Sequence, residues 1–549
     1  MSSDPVNLWD RLVTAACSGR SSLYCWAGGE RPEQASWGAV VRDAEGMTAG
    51  LRSAGVRPGA RAAGVLTNTP AVVRGILGTW LAGGALASLP VPARGMHPTE
   101  YIAQIAAMCE QLQPEVFLIE EKMIDALPEH LRTRFHVRSW ESMVGTGVVA
   151  TCPPEDDEVA FIQYSSGSTS TPKGCMITPR AIAAQLDLLN HVINGRPGRD
   201  RVMSWLPLSH DMGIFGTLLT PWFNDFDLFM SSPERFAIAP RTWFGDLARY
   251  QGTITAGPNS ALHLAARAYS GRRGLDHGDL SAMRVCIVGA ERVEWETLRL
   301  AHEVFGRFGM REEAFMPAYG LAEGVLAVTA TPVHETPCHV VVDSQALAEG
   351  EVRPVADTAT MASRVVSGGV PVRGAQLPGL GTAQLGEVRI RSASLAIGYW
   401  ADPERTTGSF VDGTYLSSDI GFMRDGYFYP VGRGDDMLSI AGRKVYAQEI
   451  ERAIDRLEGV RTGCSTLVDD DQRGLTLFVE VKPSVSDYAE LATQAARLAM
   501  AKAAVILDEC VFLGRHSLPK TPSGKIQRHR CRHLLAAGRF SPLAVVPLG

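Results

Sequence analysis

Apolar residues in this chain gather in short runs separated by polar and glycine punctuation. Ala62 to Leu66, Ala71 to Leu81 and Ala87 to Val91 predict a strand, a helix and a strand. Strand-like runs recur at Val116 to Ile119, Arg201 to Trp205 and Met283 to Val288. These runs lack a clear polar face of period two, as expected for strands covered by helices on both sides. The pattern therefore predicts an α/β fold with parallel sheets flanked by helices, and ligands bound at strand ends.

After Arg389 the elements shorten. Glu387 to Ile390, Tyr427 to Val431 and Met437 to Ile440 read as strands, with the turn pairs Asp412-Gly413 and Asp425-Gly426 between them. A smaller β-rich subdomain is expected there. Beyond Asp435, Ala447 to Leu457 reads as a helix, Leu475 to Val481 as a strand and Tyr488 to Ile506 as an alanine-rich helix, an α+β terminal domain. The expected division is a large multi-subdomain N-terminal domain, 1–434, and a small C-terminal domain, 435–549.

The length of 549 residues exceeds one compact core, and a composition of 45% hydrophobic and 20% charged residues excludes disordered and collagen-like classes. A net charge of -6, without a basic block beside an aromatic platform, argues against nucleic acid as a partner. The 10 cysteines stand singly, with no Cys-x-x-Cys pair, so the expectation is reduced thiols and a cytoplasmic location rather than a disulfide framework or zinc site. The first residues lack a basic segment followed by an apolar one, which argues against secretion. The uncharged stretch from Gly75 to Ala93 is interrupted by glycines and prolines and reads as a buried helix leading into a strand, not a membrane span.

Gln163 to Gly174 concentrates hydroxyls, glycines and a lysine in one loop. Glycines admit close backbone approach, N–H and O–H groups donate to phosphate oxygens, and a lysine offsets charge without fixing geometry. The Walker spacing fails, because Pro172 occupies the position of its second glycine and Lys173 is followed by Gly174.

Four further segments follow this loop in order: Trp205 to Gly213, containing His210-Asp211-Met212-Gly213; Tyr319-Gly320-Leu321-Ala322-Glu323; Tyr415 to Asp419 with Gly432 to Asp436; and Pro522-Ser523-Gly524-Lys525. The ordered set, covering nearly the whole chain, resembles the adenylate-forming superfamily of acyl-CoA synthetases, peptide-synthetase adenylation domains and luciferases. Within it the chain is most similar to fatty acyl-AMP ligases and related acyl-CoA ligases, through His-Asp-Met-Gly, Tyr-Gly-Leu-Ala-Glu and Gly442 to Glu451. Thr329 to Ser367 is longer than the corresponding link of ordinary acyl-CoA synthetases and resembles that branch's inserted segment, associated with transfer to a carrier protein rather than CoA.

The resemblance implies a ligase that joins a carboxylic acid to AMP and then forms a thioester with CoA or an acyl carrier protein, using ATP or acyl-AMP and Mg2+. Ser165, Ser166, Ser168, Thr169 and Lys173 would hold the β- and γ-phosphates, and Glu323 would bind Mg2+, which prefers oxygen ligands. Tyr319, with Gly320, would stack on adenine flanked by Gly289, Ala290 and Glu291. Asp419 would accept the ribose hydroxyls, assisted by Arg433. His210 either lines the acyl pocket near the reacting carboxylate or is a hydrogen-bonded structural histidine. Lys525 would be delivered to the α-phosphate by rotation of a mobile C-terminal domain about Asp435, and Gly442, Arg443 and Lys444 would face the entering thiol.

Two positions depart from the family pattern. Ser170 and Ser418 stand where glycine is usual, and a Cβ restricts positive φ and close backbone approach. Pro179-Arg180 also replaces a usual histidine. These departures leave two alternatives to the full ligase: a half-reaction enzyme using preformed acyl-AMP, and an inactive acyl- or nucleotide-binding protein. The identity of the acid stays open.

Overall fold

The uncharged stretch after Thr69 folds as its spacing predicts. Thr69 accepts a hydrogen bond from Val72 N, Pro70 occupies the first turn, and the helix Pro70–Leu81 runs into the strand Ala85–Leu89. A Cβ on Gly75 would lie 2.3 Å from the Trp140 ring, so glycine here lets the helix seat directly on the buried indole. The computed structural model describes residues 7–26, 31–92, 98–145, 149–165, 173–272, 274–275, 277–359, 362–434, 437–440, 443–470, 474–503, 505–520 and 526–548.

Among the described residues two large sheets dominate. The seven-stranded sheet has the order Gly398–Tyr399, Lys173–Ile177, Phe161–Ser165, Ala85–Leu89, Arg61–Val65, Val116–Ile119, Val137–Ser139. Its strands from Phe161–Ser165 to Val137–Ser139 are parallel, and the first two join antiparallel. The nine-stranded sheet is parallel through Phe315–Gly320, Val285–Gly289, Ile254–Pro258, Arg201–Ser204, Asp227–Met230 and Ser22–Cys25, with antiparallel strands at both ends. Parallel strands buried on both faces explain the continuous apolar runs.

One apolar core joins the two sheets. Trp37 stacks on Trp222 with centroids 5.0 Å apart, and Phe161 meets Phe215 edge-on at 5.4 Å. Fully burying rings of this kind contributes roughly 1.5–3 kcal/mol each. No helix among the described residues is long and apolar enough to cross a membrane.

The β-rich part follows its turn signals. Asp412 and Gly413 have φ of 49° and 69°, and Asp425 and Gly426 have 52° and 83°, as two-residue hairpins demand. They join Phe410–Val411 to Thr414–Arg424 and that strand to Tyr427–Arg433. Thr329 to Ser367 contributes an antiparallel pair, His339–Asp343 with Ala362–Val366, and the short helix Ser344–Ala348 capped by Asp343.

Beyond Asp435 the strands Val460–Asp470, Gly474–Val481, Glu509–Leu513 and Pro542–Pro547 form a mixed sheet covered by Ala447–Ile454 and Tyr488–Ala503. Both helices end earlier than their apolar patterns suggest. Ala447, Ile450, Ile454, Leu477, Ala495 and Phe512 build a local core. Arg456 Nη2 donates to Glu294 Oε2 at 2.9 Å, Arg452 lies beside the same carboxylate, and Arg530 pairs with Glu100. Tyr446 shares an apolar cluster with Val342, Leu347 and Val431, so the stretch Thr329 to Ser367 touches the base of the terminal unit.

Candidate active site

Segment 166–172, Trp205 to Gly213, the Gly289 turn and Tyr319 to Glu323 each lie at or after the C-terminal end of a parallel strand. Gln163, near the end of Phe161–Ser165, donates from Nε2 to the Ser209 carbonyl at 3.0 Å, and Ser88 Oγ donates to the same carbonyl at 3.2 Å. Ser209 precedes His210, so the seven-stranded sheet directly holds the loop that follows strand Arg201–Ser204 of the other sheet. Asn68 strengthens this junction: Nδ2 donates to the carbonyls of Leu206 and Ser231, and Oδ1 accepts from Leu208 N. His210 Nδ1 lies 2.5 Å from Asp211 Oδ1, which also accepts from Met212 N at the start of the π-helical segment Met212–Leu219.

The motif Tyr319 to Glu323 ends a central strand and turns sharply. A Cβ on Gly320 would lie 1.8 Å from the Leu326 carbonyl, which accepts a hydrogen bond from Leu321 N, so only glycine fits. The turn directs the Tyr319 hydroxyl to Asp419 Oδ2 at 2.6 Å, while Arg433 Nε donates to Asp419 Oδ1 at 3.1 Å. Asp419 and Arg433 are register partners in the β-rich sheet, and Ser417 Oγ accepts from Asp419 N. Burial, reinforced by the Asp419 charge, pushes the Tyr319 hydroxyl well above its ordinary pKa, which keeps it a donor.

Gly289 and Ala290 end the adjacent strand Val285–Gly289. Ala290 has φ of 63°, and a Cβ on Gly289 would lie 3.0 Å from the Ala318 carbonyl, so this turn packs against the Tyr319 strand. The exposed Glu291 accepts from Ser260 N at 2.5 Å, in the first turn of the preceding helix Asn259–Tyr269.

Glu323 is 8% exposed, and its Oε1 accepts from the Tyr399 hydroxyl at 2.8 Å; that hydroxyl lies 3.2 Å from the Tyr415 hydroxyl. Burial first, then the Glu323 charge, raises the pKa of both tyrosines. Tyr399 is the register partner of Cys175 in strand Lys173–Ile177, so the donor to this carboxylate is anchored on a stem of segment 166–172. The buried Cys175 thiol is raised by burial, then by Glu323 and Asp211, and is opposed by Lys173.

The structure brings Tyr319, Gly320, Asp419 and Arg433 together in one corner, with Gly289 and Ala290 on the adjacent strand; Glu323 forms a second group with Tyr399 and Tyr415, and His210 is held by Asp211 in the loop after strand Arg201–Ser204. Ser165 and Lys173 pair across the antiparallel stems, closing the base of segment 166–172. Ser166, Ser168, Thr169 and Ser170 lie outside the described residues, as do Asp435, Gly442 and Lys525, and the Arg443 and Lys444 side chains. Ser418 corrects one expectation: it lies exposed in strand Thr414–Arg424 without positive φ, so its Cβ meets no conformational penalty. Arg180 is engaged with Asp157 through contacts of 2.8 and 2.9 Å.

Sequence reasoning assigned no role to Gln163, Asn68, Tyr399 or Tyr415. Gln163 and Tyr415 begin segments already singled out, and their position there was the available signal. Asn68 and Tyr399 carry none in sequence, because their partners lie far along the chain.

The profile of the AMP-binding enzyme family matches residues 14–400, and the chain belongs to that family. A putative ligase of Mycobacterium tuberculosis is 29% identical over 90% of this chain and 94% of its own length. The long-chain-fatty-acid–AMP ligase FadD32 of Mycolicibacterium smegmatis is 28% identical over 82% and 81%. A solved structure from a study of fatty acyl-adenylate ligases of E. coli and L. pneumophila superposes with a TM-score of 0.89 at 26% identity, covering 97% of this chain and 99% of that one. The chain is an enzyme of the ligase class that activates acids as acyl-adenylates and transfers them to a thiol.

Proposed function

We propose that this chain activates a long or medium acyl carboxylic acid with ATP and passes the acyl group to the phosphopantetheine thiol of an acyl carrier protein in the cytoplasm. CoA is the alternative acceptor. The observation that carries the proposal is Asp419, held between the Tyr319 hydroxyl and the Arg433 guanidinium, with Glu323 joined through Tyr399 to the stem strand Lys173–Ile177.

In the first half-reaction a carboxylate oxygen attacks the α-phosphorus and pyrophosphate leaves, so two anions must be brought together and their charge offset. Asp419 accepts from the ribose hydroxyls, Tyr319 and the 289–291 turn border adenine, and Lys173 with the hydroxyls of Ser165, Ser166, Ser168 and Thr169 meets the β- and γ-phosphates. The Glu323 carboxylate fits Mg2+, a hard cation commonly bound by one or two carboxylates plus substrate phosphates. That ion would supply charge neutralisation at the phosphates. Tyr399 orients Glu323 through its hydrogen bond.

His210 stands at the acyl end, and Lys525 brings a cation to the α-phosphate from a C-terminal domain, 435–549, that turns about Asp435 against the N-terminal domain, 1–434. In the second half-reaction the thiolate sulfur attacks the acyl carbon and AMP leaves, with Gly442, Arg443 and Lys444 facing the incoming pantetheine. The contact of the inserted stretch with Tyr446 favours the carrier protein, because that stretch borders the thiol-facing strand. The similar ligase JamA of Moorena producens, 30% identical over 68% of this chain and 67% of its own length, is named for medium-chain fatty acids and an acyl carrier protein.

The test supplies octanoic, dodecanoic and hexadecanoic acids with ATP and Mg2+ and measures pyrophosphate release. Preformed dodecanoyl-AMP is then supplied with CoA or a phosphopantetheinylated carrier protein. Pyrophosphate release followed by acyl-carrier formation is the expected result. Thioester formation from acyl-AMP without pyrophosphate release identifies the half-reaction enzyme, and silence in both arms overturns the proposal.

A further inference from the structure

Lys520 and Ile526 bridge to each other as antiparallel partners, and Gln527 N donates to the Pro519 carbonyl at 2.9 Å. The base of segment 521–525 is therefore closed by backbone contacts, and each stem also carries a charged anchor. On one side the Lys520 ammonium lies 3.0 Å from the Gly463 carbonyl and 3.0 Å from Cys464 Sγ. On the other, Arg528 Nη2 donates to both oxygens of Glu451, at 2.8 and 3.0 Å, with side chains only 16% and 11% exposed.

The two anchors share a foundation. Glu451, on helix Ala447–Ile454, also accepts from Thr466 Oγ1 and Leu467 N. Ser465 Oγ donates to Asp455 Oδ1 at 2.7 Å and lies 2.9 Å from the Glu451 carbonyl, while Asp455 Oδ2 accepts from Gly463 N at 3.0 Å. Gly463 has φ of 69° within the bulge between Val460 and Ser465, and this turn presents its carbonyl to Lys520. The largely buried Arg528–Glu451 pair and the more exposed Lys520 contact at the Gly463 turn thus rest on one helix-and-strand network.

We propose that Lys520 and Arg528 are positioning residues for adenylation, fixing both stems of the segment that carries Lys525 to a rigid strand-and-helix platform. This inference rests on the assignment of Lys525 as the cation of the first half-reaction. A point charge stabilises the reacting phosphate only when held in register, and losing that register costs rate without removing any nucleotide contact made by the large sheets.

The test uses the full chain with Lys520→Met, Arg528→Gln and Arg528→Lys. Hydrogen–deuterium exchange in peptides spanning 519–527 is expected to accelerate by about tenfold or more in the first two variants, with Gly474–Val481 and Glu509–Leu513 unchanged. Acyl-AMP formation from dodecanoic acid should lose about tenfold in kcat with KM for ATP nearly unchanged, and thioester formation from dodecanoyl-AMP should persist. Arg528→Lys should recover part of the loss. If Arg528→Gln unfolds the terminal unit, Lys520→Met, which strands no buried carboxylate, decides. Unchanged exchange in 519–527, or equal loss of both half-reactions, overturns the inference. The exchange result stands whichever acid is accepted. Lys525→Ala separately tests the underlying assignment: if adenylation survives it, that assignment fails even where the clamp is real.

Discussion

The Tyr319 hydroxyl donates to Asp419 Oδ2 over 2.6 Å, tying the end of a strand in the nine-stranded sheet to a strand of the β-rich sheet. Neither residue could define this corner alone. Tyr319 reaches it because the Gly320 turn folds back on Leu326, and Asp419 is held from its other oxygen by Arg433. One carboxylate therefore ties two sheets together at the corner where the proposed function seats the ribose.

Asp419→Ala is expected to weaken AMP, ATP and acyl-AMP together by roughly 1.5–3 kcal/mol, the range for hydrogen bonds to a charged group. Tyr319→Phe should weaken AMP less, because Arg433 still orients the carboxylate. Calorimetry with AMP measures both. An unchanged AMP affinity in Asp419→Ala removes this residue from the site.

Tyr399→Phe removes the hydroxyl that donates to the buried Glu323 carboxylate. A buried acceptor left without its donor costs about 1–3 kcal/mol, so thermal stability should fall. The Mg2+ concentration for half-maximal pyrophosphate release should shift, since the carboxylate loses its orientation. Loss of stability with an unmoved Mg2+ dependence would leave Tyr399 a packing residue.

Much of this architecture was legible because parallel strands buried on both faces leave uninterrupted apolar runs, and because Asp-Gly pairs mark hairpins that need positive φ. Val116–Ile119 and Met437–Ile440 have the limits that their patterns suggest. Helix ends were less legible: Ala447–Ile454 stops before Leu457, where apolar residues continue as core contacts outside the helix. Tyr319, Asp419, Arg433 and Glu323 could be singled out by motif, but the contacts of Tyr319 with Asp419 and of Tyr399 with Glu323 could not. The Tyr319–Asp419 contact spans 100 positions and the Glu323–Tyr399 contact 76, distances over which local periodicity carries no information.

Asp455 supplies a pH dependence of known sign. Burial, reinforced by Glu451, raises its carboxyl from 3.8 to about 6, against the lowering effect of its hydrogen bonds to Ser465 and Gly463. The folded state therefore binds this proton more tightly than the unfolded chain. Its contribution to stability is favourable at low pH and declines as pH rises from about 4 to 6, by at most about 3 kcal/mol. Asp455→Asn should flatten that part of the profile, so the stability difference between variant and wild type should move in favour of the variant as pH rises from 4.5 to 7. Denaturation curves across this range measure it. A difference independent of pH would show that Asp455 does not titrate there.

Ser418 and Ser170 depart from the same glycine pattern, and different consequences are expected of them. Ser418 occupies extended backbone in strand Thr414–Arg424 with its side chain exposed, where glycine gains nothing from positive φ. Ser418→Gly should therefore leave pyrophosphate release unimproved and lower stability by about 0.5–1 kcal/mol, the entropic cost of glycine in a strand. Ser170 belongs to segment 166–172, whose stems Ser165 and Lys173 are paired and whose hydroxyl and backbone groups would meet the β- and γ-phosphates. If its Cβ hinders that approach, Ser170→Gly should raise pyrophosphate release from ATP and acid without altering the use of preformed acyl-AMP, which has neither phosphate. The two variants, compared in the same pyrophosphate and thioester assays, isolate the phosphate grip from the ribose strand. A gain from Ser418→Gly would show that the ribose strand restricts the nucleotide after all, and equal rates in Ser170→Gly and wild type would show that the loop tolerates serine.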